Sequence, residues 1–218
     1  MTKQSSFNSE IMCLIEGYKQ FKYKYFEKSK IYKDLVRKGQ KPKVMVIACS
    51  DSRVDPAIIT NSKPGELFIV RNIANLVPPF EGDHQHHGTS AALEFGVKQL
   101  EITDIIVFGH SHCSGINALL ETNPDNINSF DFIDDWMDIA KPAKDSVLND
   151  FPNSSKHEKA HICEKKSLLL SLDNLKTFPW INKKVESNNL FLHAWYFNLA
   201  TGTIELYNSS NDQFILLH

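Results

Sequence analysis

Between Ile11 and Tyr25 the apolar residues Ile11, Leu14, Ile15, Tyr18, Phe21 and Tyr25 recur at helical spacing, with Lys19, Lys22 and Lys24 falling between them. This pattern predicts an amphipathic helical arm that Gly39 and Pro42 bring to an end. The period then changes. "VMVIA" is a continuous apolar run too short for a helix, so it predicts a strand buried on both faces, and "ELFIV" and "DIIVFG" predict two more of that kind. Between the last two, "HHGTSAALEFGVKQL" places Ala91, Ala92, Phe95 and Leu100 as a crossover helix would, with Thr89 or Ser90 as its cap. Strand, helix, strand predicts a parallel sheet.

Further along, "SGINALLE", a segment around Trp136 and the longer "KAHICEKKSLLLSLDNL" predict helices that pack on the sheet faces. "TNPDNINS" and "NDFPNSSKHEK" are polar and predict short loops. "NLFLHAWYFNLATGTIELYN" alternates on either side of Thr201-Gly202, a β-hairpin signal that adds two strands at one sheet edge. The expected architecture is a single α/β domain over residues 1–218. Residues 1–39 form the helical arm, and residues 40–218 form a core with a largely parallel sheet flanked by helices.

Composition narrows the function. A chain of 218 residues supports one hydrophobic core. Its formal net charge of -2 offers no basic excess for nucleic acid or an anionic membrane, which leaves a small molecule as the expected ligand. The N-terminus "MTKQSSFNSEIM" has no apolar signal-peptide core and no long apolar run follows, so the expectation is a soluble, cytoplasmic protein. Cys13, Cys49, Cys113 and Cys163 are too sparse for a secreted disulfide framework and point instead to metal binding or chemistry.

In "GHSHC" a predicted strand ends on His110, and Cys113 follows three residues later; Cys49 ends another strand. Open α/β sheets hold their ligands at such strand ends. If the two strands are neighbours, an imidazole and two thiolates converge in a donor set suited to zinc, with the fourth position free for water. Taken singly, each cysteine reads as a small buried hydrophobe and His110 as a satisfied core histidine. Three such residues at two strand ends favour the metal. A dithiol redox pair is the weaker alternative, because neither cysteine lies in a C-x-x-C motif. Asp51 and Arg53, two apart just after Cys49, can form a bidentate ion pair that keeps the carboxylate ionised.

The segments "GQKPKVMVIACSDSRV", "PGELFIVRNIANLVPPF", "HGTSAALEFGV", "IIVFGHSHCSGI" and, more loosely, "LHAWYFNLATG" resemble the β-class carbonic anhydrases in their plant-like pattern. The resemblance runs from Gln40 to the C-terminus. It implies Zn2+ held by Cys49, His110 and Cys113, with Asp51 and Arg53 as a catalytic dyad. It also implies substrate contacts from Gln40, reaching into a neighbouring protomer, and from Phe68, Ile73 and Phe95 around CO2. Phe95 stands where the plant-like pattern often has tyrosine, and Ser114 and Ala194 each replace a common glycine.

The implied activity is zinc-dependent, reversible hydration of CO2 to bicarbonate and a proton by a homodimer or larger homo-oligomer. Hydrolysis of CS2 or COS on the same site, or non-catalytic binding of zinc and bicarbonate, are the alternatives. The run "DHQHH", residues 83–87, offers titratable groups for a proton relay, but reads more readily as a solvated polar loop capping the next helix. Val46-Ile47-Ala48 stands where some relatives carry the Trp-x-Gly of a second bicarbonate pocket, which implies a site with Asp51 paired to Arg53.

Overall fold

The computed structural model describes residues 8–83, 85–121 and 130–217; the predicted loop "TNPDNINS" and His84 lie outside them. Two compact units appear, Met1–Lys41 and Pro42–His218.

In the first unit, helix α1 (Ser9–Lys22) starts where the Asn8 side chain accepts the Ile11 N–H at 3.0 Å. A π-helical turn (Tyr23–Glu27) leads to α2 (Ile31–Lys38), and Gly39 at φ +72° ends it. The arm is thus two helices rather than one. Aromatic packing folds it: Phe26 stacks on Tyr32 at 4.7 Å between centroids, and Phe21 meets Tyr25 and Tyr32. Helix α1 buries no residue, and Leu14 and Tyr18 are 69% and 61% exposed.

The second unit is built on a six-stranded sheet. Its strands are β1 (Val44–Cys49), β2 (Leu67–Asn72), β3 (Asp104–His110), β4 (Phe191–Phe197), β5 (Ile204–Asn208) and β6 (Gln213–Leu216), in the order β2-β1-β3-β4-β5-β6. From β2 to β4 the pairing is parallel, while β5 and β6 are antiparallel. The apolar runs of β1 and β3 are buried almost throughout, as central parallel strands require.

"ELFIV" is less buried than its pattern suggests, because β2 is the edge strand and alternates between half-buried and exposed. The C-terminal run differs too. It supplies the two strands of its hairpin signal, joined through Gly202 (φ +71°), but β4 takes its place in the parallel set beside β3, β5 turns antiparallel, and the edge belongs to β6, which lies beyond the run.

The helices are α3 (Pro56–Ile59), α4 (Gly88–Glu94) with a π-helical turn after it (Phe95–Gln99), α5 (Ser114–Glu121), α6 (Ile133–Met137), α7 (Lys141–Asp150), α8 (Lys156–Thr177) and α9 (Pro179–Glu186). Neither Thr89 nor Ser90 caps α4. His87 holds that position without a side-chain cap, and the Thr89 hydroxyl instead accepts the Asn72 side-chain amide at 3.2 Å. Helix α8 opens on a capping box between Ser155 and Glu158 and lays Leu168, Leu172 and Leu175 against Met45, Ile47 and Val107 of the sheet. Close contact there depends on Gly109, where a Cβ would come within 2.9 Å of Leu168 Cδ2. No helix among the described residues is long and apolar enough to cross a membrane.

Candidate metal centre

Strands β1 and β3 are adjacent, parallel and paired Ala48 to Phe108, so Cys49 and His110 emerge together at their C-terminal ends. After His110 the chain turns through His112 in the left-handed region (φ +57°), and Cys113 delivers it into α5. The ligand atoms of Cys49, His110 and Cys113 all lie within 4.8 Å of one another, and all three residues are buried.

His110 Nδ1 faces the Ser111 carbonyl at 2.9 Å, while Nε2 is buried with no hydrogen-bond partner among the described residues. A carbonyl that takes the Nδ1 proton leaves the Nε2 lone pair for a metal. An orphaned buried nitrogen beside two sulfurs fits a soft divalent cation and is costly otherwise.

The sulfurs are prepared in different ways. Cys49 accepts a hydrogen bond from Cys113, which overcomes burial and, with His110 and the Asp51 amide, pulls its thiol well below the usual thiol range. Cys113 is pushed up as donor in that pair and by burial, although the Gly115 and Ile116 amides at the start of α5 favour its thiolate. The opposite shifts reflect two sulfurs held close enough to compete for a proton, which a divalent cation binding both would displace. Burial lowers His110, but the Cys49 thiolate, the Ser111 carbonyl and Asp51 together raise it.

Asp51 is gripped by Arg53. The guanidinium Nε donates to Oδ1 at 2.9 Å, a terminal nitrogen to Oδ2 at 2.6 Å, and the Arg53 amide also to Oδ1 at 2.9 Å. This fork outweighs burial and holds the carboxyl far below the usual carboxylate range. The same terminal nitrogen reaches the His112 carbonyl at 3.2 Å, tying the loop after β1 to the loop after β3.

A carbonic anhydrase family model matches residues 44–204. Beta carbonic anhydrase 5, chloroplastic, of Arabidopsis thaliana is 43% identical over 184 residues, which are 84% of this chain and 60% of that protein. The chain belongs to the β-carbonic anhydrase family. Among solved structures, the β-carbonic anhydrase CcaA superposes with a TM-score of 0.84 at 32% identity, covering 96% of this chain and 100% of that one. One from Sordaria macrospora, in a study of two tetrameric β-carbonic anhydrases, gives 0.79 at 25% identity over 92% and 97%. The chain thus spans 60% of the length of the Arabidopsis relative.

The expectation of a cytoplasmic protein does not stand beside a relative 43% identical that is chloroplastic. A missing signal-peptide core speaks only to export, and a near-neutral charge does not separate one aqueous compartment from another.

Of the residues that the β-carbonic anhydrase resemblance singled out, Asp51, Arg53 and Ile73 gather at these strand ends. Ile73 follows Asn72, the partner of Cys49, and its carbonyl accepts the Trp136 indole N–H at 2.8 Å. Phe68 and Phe95 stack on each other at 6.0 Å, but Phe68 pairs with Met45 towards the other end of β2, away from the cluster. Gln40 is exposed in the first unit. Ala194 is buried opposite Val107, and Ser114 opens α5. In the "DHQHH" run Asp83 pairs with His87 at 2.6 Å, while His86 and His87 share a cavity of about 1000 Å³ with Ser50, Asn72 and Ile73.

Two functional supports escaped the motif reading. Arg71 on β2 donates to the carbonyls of Cys49 (2.9 Å), Asp51 (2.6 Å) and Val54 (2.8 Å), so one side chain holds the whole loop after β1. Glu164 on α8, only 4% exposed, accepts the Cys113 N–H at 3.0 Å and the Tyr196 hydroxyl at 2.7 Å. Its signal in the sequence was an acid on the stripe of Ala160, Cys163, Ser167 and Leu168, the buried face of the helix.

Proposed function

We propose that the protein catalyses the reversible hydration of CO2 to bicarbonate and a proton, with Zn2+ held by Cys49, His110 and Cys113. The observation that carries this reading is the unpartnered His110 Nε2 beside two sulfurs, with an ionised, arginine-clamped carboxylate two residues from one of them. Zinc held there would supply Lewis acidity, which would let water lose a proton and provide a hydroxide nucleophile at a pH far below that needed in free solution.

The chain's own residues do the rest. Asp51, held ionised by Arg53, accepts a hydrogen bond from the attacking oxygen and turns its lone pair towards carbon. Arg53 fixes that direction, and Arg71 fixes the backbone that carries both Cys49 and Asp51. Ile73 offers an apolar wall, which suits a substrate with no net dipole. Gln40, Phe68 and Phe95 complete the site from a second protomer, so the working unit is a homodimer or larger. Support comes from the uncovered apolar residues of α1 and from the tetrameric Sordaria relatives.

Stopped-flow CO2 hydration with metal analysis of the same sample tests the proposal. Replacing Cys49, His110 or Cys113 by alanine is expected to remove zinc and rate together. A variant that keeps full zinc and full rate overturns the assignment.

A further inference from the structure

We propose that Glu164 is a positioning residue for the metal centre, acting through the backbone of Cys113 and anchored from behind by Tyr196. This inference rests on the reading of Cys49, His110 and Cys113 as a zinc site.

Cys113 sits in a loop of three residues between β3 and α5, and a thiolate can meet a metal from such a loop only if its Cα is fixed on both sides. On the carbonyl side, Asn117 does this twice, through its amide N–H at 3.0 Å and its side-chain nitrogen at 2.9 Å. On the amide side the hydrogen-bond partner is the Glu164 carboxylate at 3.0 Å, supplied from α8 across 51 residues of sequence.

The carboxylate is itself fixed. Its other oxygen accepts the hydroxyl of Tyr196, a fully buried residue of β4, and His161 Nδ1 meets that hydroxyl at 2.9 Å. Leu168, one turn beyond Glu164, packs onto Gly109 beside the His110 ligand, so α8 is registered against both arms of the loop. A buried carboxylate needs compensating donors, and among the described residues these are a ligand's backbone N–H and a core tyrosine. Partners of this outer kind typically change metal affinity by about 10–100-fold when lost.

The test uses the zinc-loaded protein, with release to a chromogenic chelator, the electronic spectrum of the Co2+-substituted form and the Tm of the zinc-free form measured together. Glu164→Ala is expected to release zinc about 10–100-fold faster and to shift the cobalt bands, and Tyr196→Phe to do the same more weakly. A purely architectural role would lower the zinc-free Tm and leave both metal readouts as in the wild type. A folded Glu164→Ala protein with wild-type release and spectrum overturns the proposal. If that variant does not fold, wild-type release and spectrum in Tyr196→Phe overturn it equally. Failure of the wild type to hold zinc or cobalt is a separate result, and it removes the metal reading itself.

Discussion

Arg53 closes a two-pronged fork on Asp51, with contacts of 2.9 and 2.6 Å to the two carboxylate oxygens. If, as proposed, the pair orients the attacking oxygen rather than binding metal, Asp51→Asn and Arg53→Ala are expected to keep zinc and lose CO2 hydration by about 100-fold or more. Metal analysis beside stopped-flow rates checks this, and normal rates in both variants end the dyad's role. The pair also has a pH signature. A carboxyl depressed in the folded state contributes stability that is fully present above its unfolded value of about 4 and is lost as pH falls below that. Acid unfolding of Asp51→Asn should therefore show a shallower dependence on pH below about 4 than the wild type.

Arg71 satisfies three carbonyls at once with a planar group. Lysine keeps the charge but cannot reproduce that geometry. Arg71→Lys is expected to lower kcat/KM by up to about 100-fold, the cost of a misplacement of about 1 Å, with zinc content unchanged. Wild-type kinetics in a folded variant would show that the loop after β1 holds its shape without the guanidinium.

Gly109 lets α8 approach β3. Its missing Cβ would lie 2.9 Å from Leu168 Cδ2 and 3.1 Å from two further atoms of that side chain. Gly109→Ala is expected to cost about 1–3 kcal/mol in urea unfolding through overpacking. An unchanged midpoint would mean that Leu168 moves aside freely.

A site completed by a second protomer predicts complementation. Gln40→Ala and Cys49→Ala, each impaired alone, should recover activity when unfolded and refolded as a mixture, because some hetero-oligomers then carry one intact site. No recovery in mixed oligomers confirmed by mass would place Gln40 in its own chain's site or in none.

Much of this was legible in the sequence, for physical reasons. Continuous apolar runs marked β1 and β3 because strands buried on both faces have no polar side, and reactive residues just past those runs located the site. Position within the sheet was not legible. "ELFIV" resembles a central strand, yet it takes the edge, since neighbour order is decided by crossovers and not by a strand's own composition. Glu164 was hidden similarly: its partners, the Cys113 amide and Tyr196, come from distant segments, and a backbone N–H leaves no trace in a motif. Phe68 and Phe95 stack together but not on the cluster, which a single chain's pattern could not foretell.

The adjacency of β1 and β3 also means that the trio of donors exists only in the folded chain. Cys49 lies about sixty residues from His110 and meets it only through strand pairing, so the nascent chain holds no competent trio of donors before the sheet assembles. On the zinc reading, loading is expected to follow folding, unlike small zinc modules that need the ion to fold at all. Near-UV circular dichroism of chain refolded in chelator is then expected to show native tertiary signal before zinc is supplied, and its absence would mean that the ion is needed to fold the sheet.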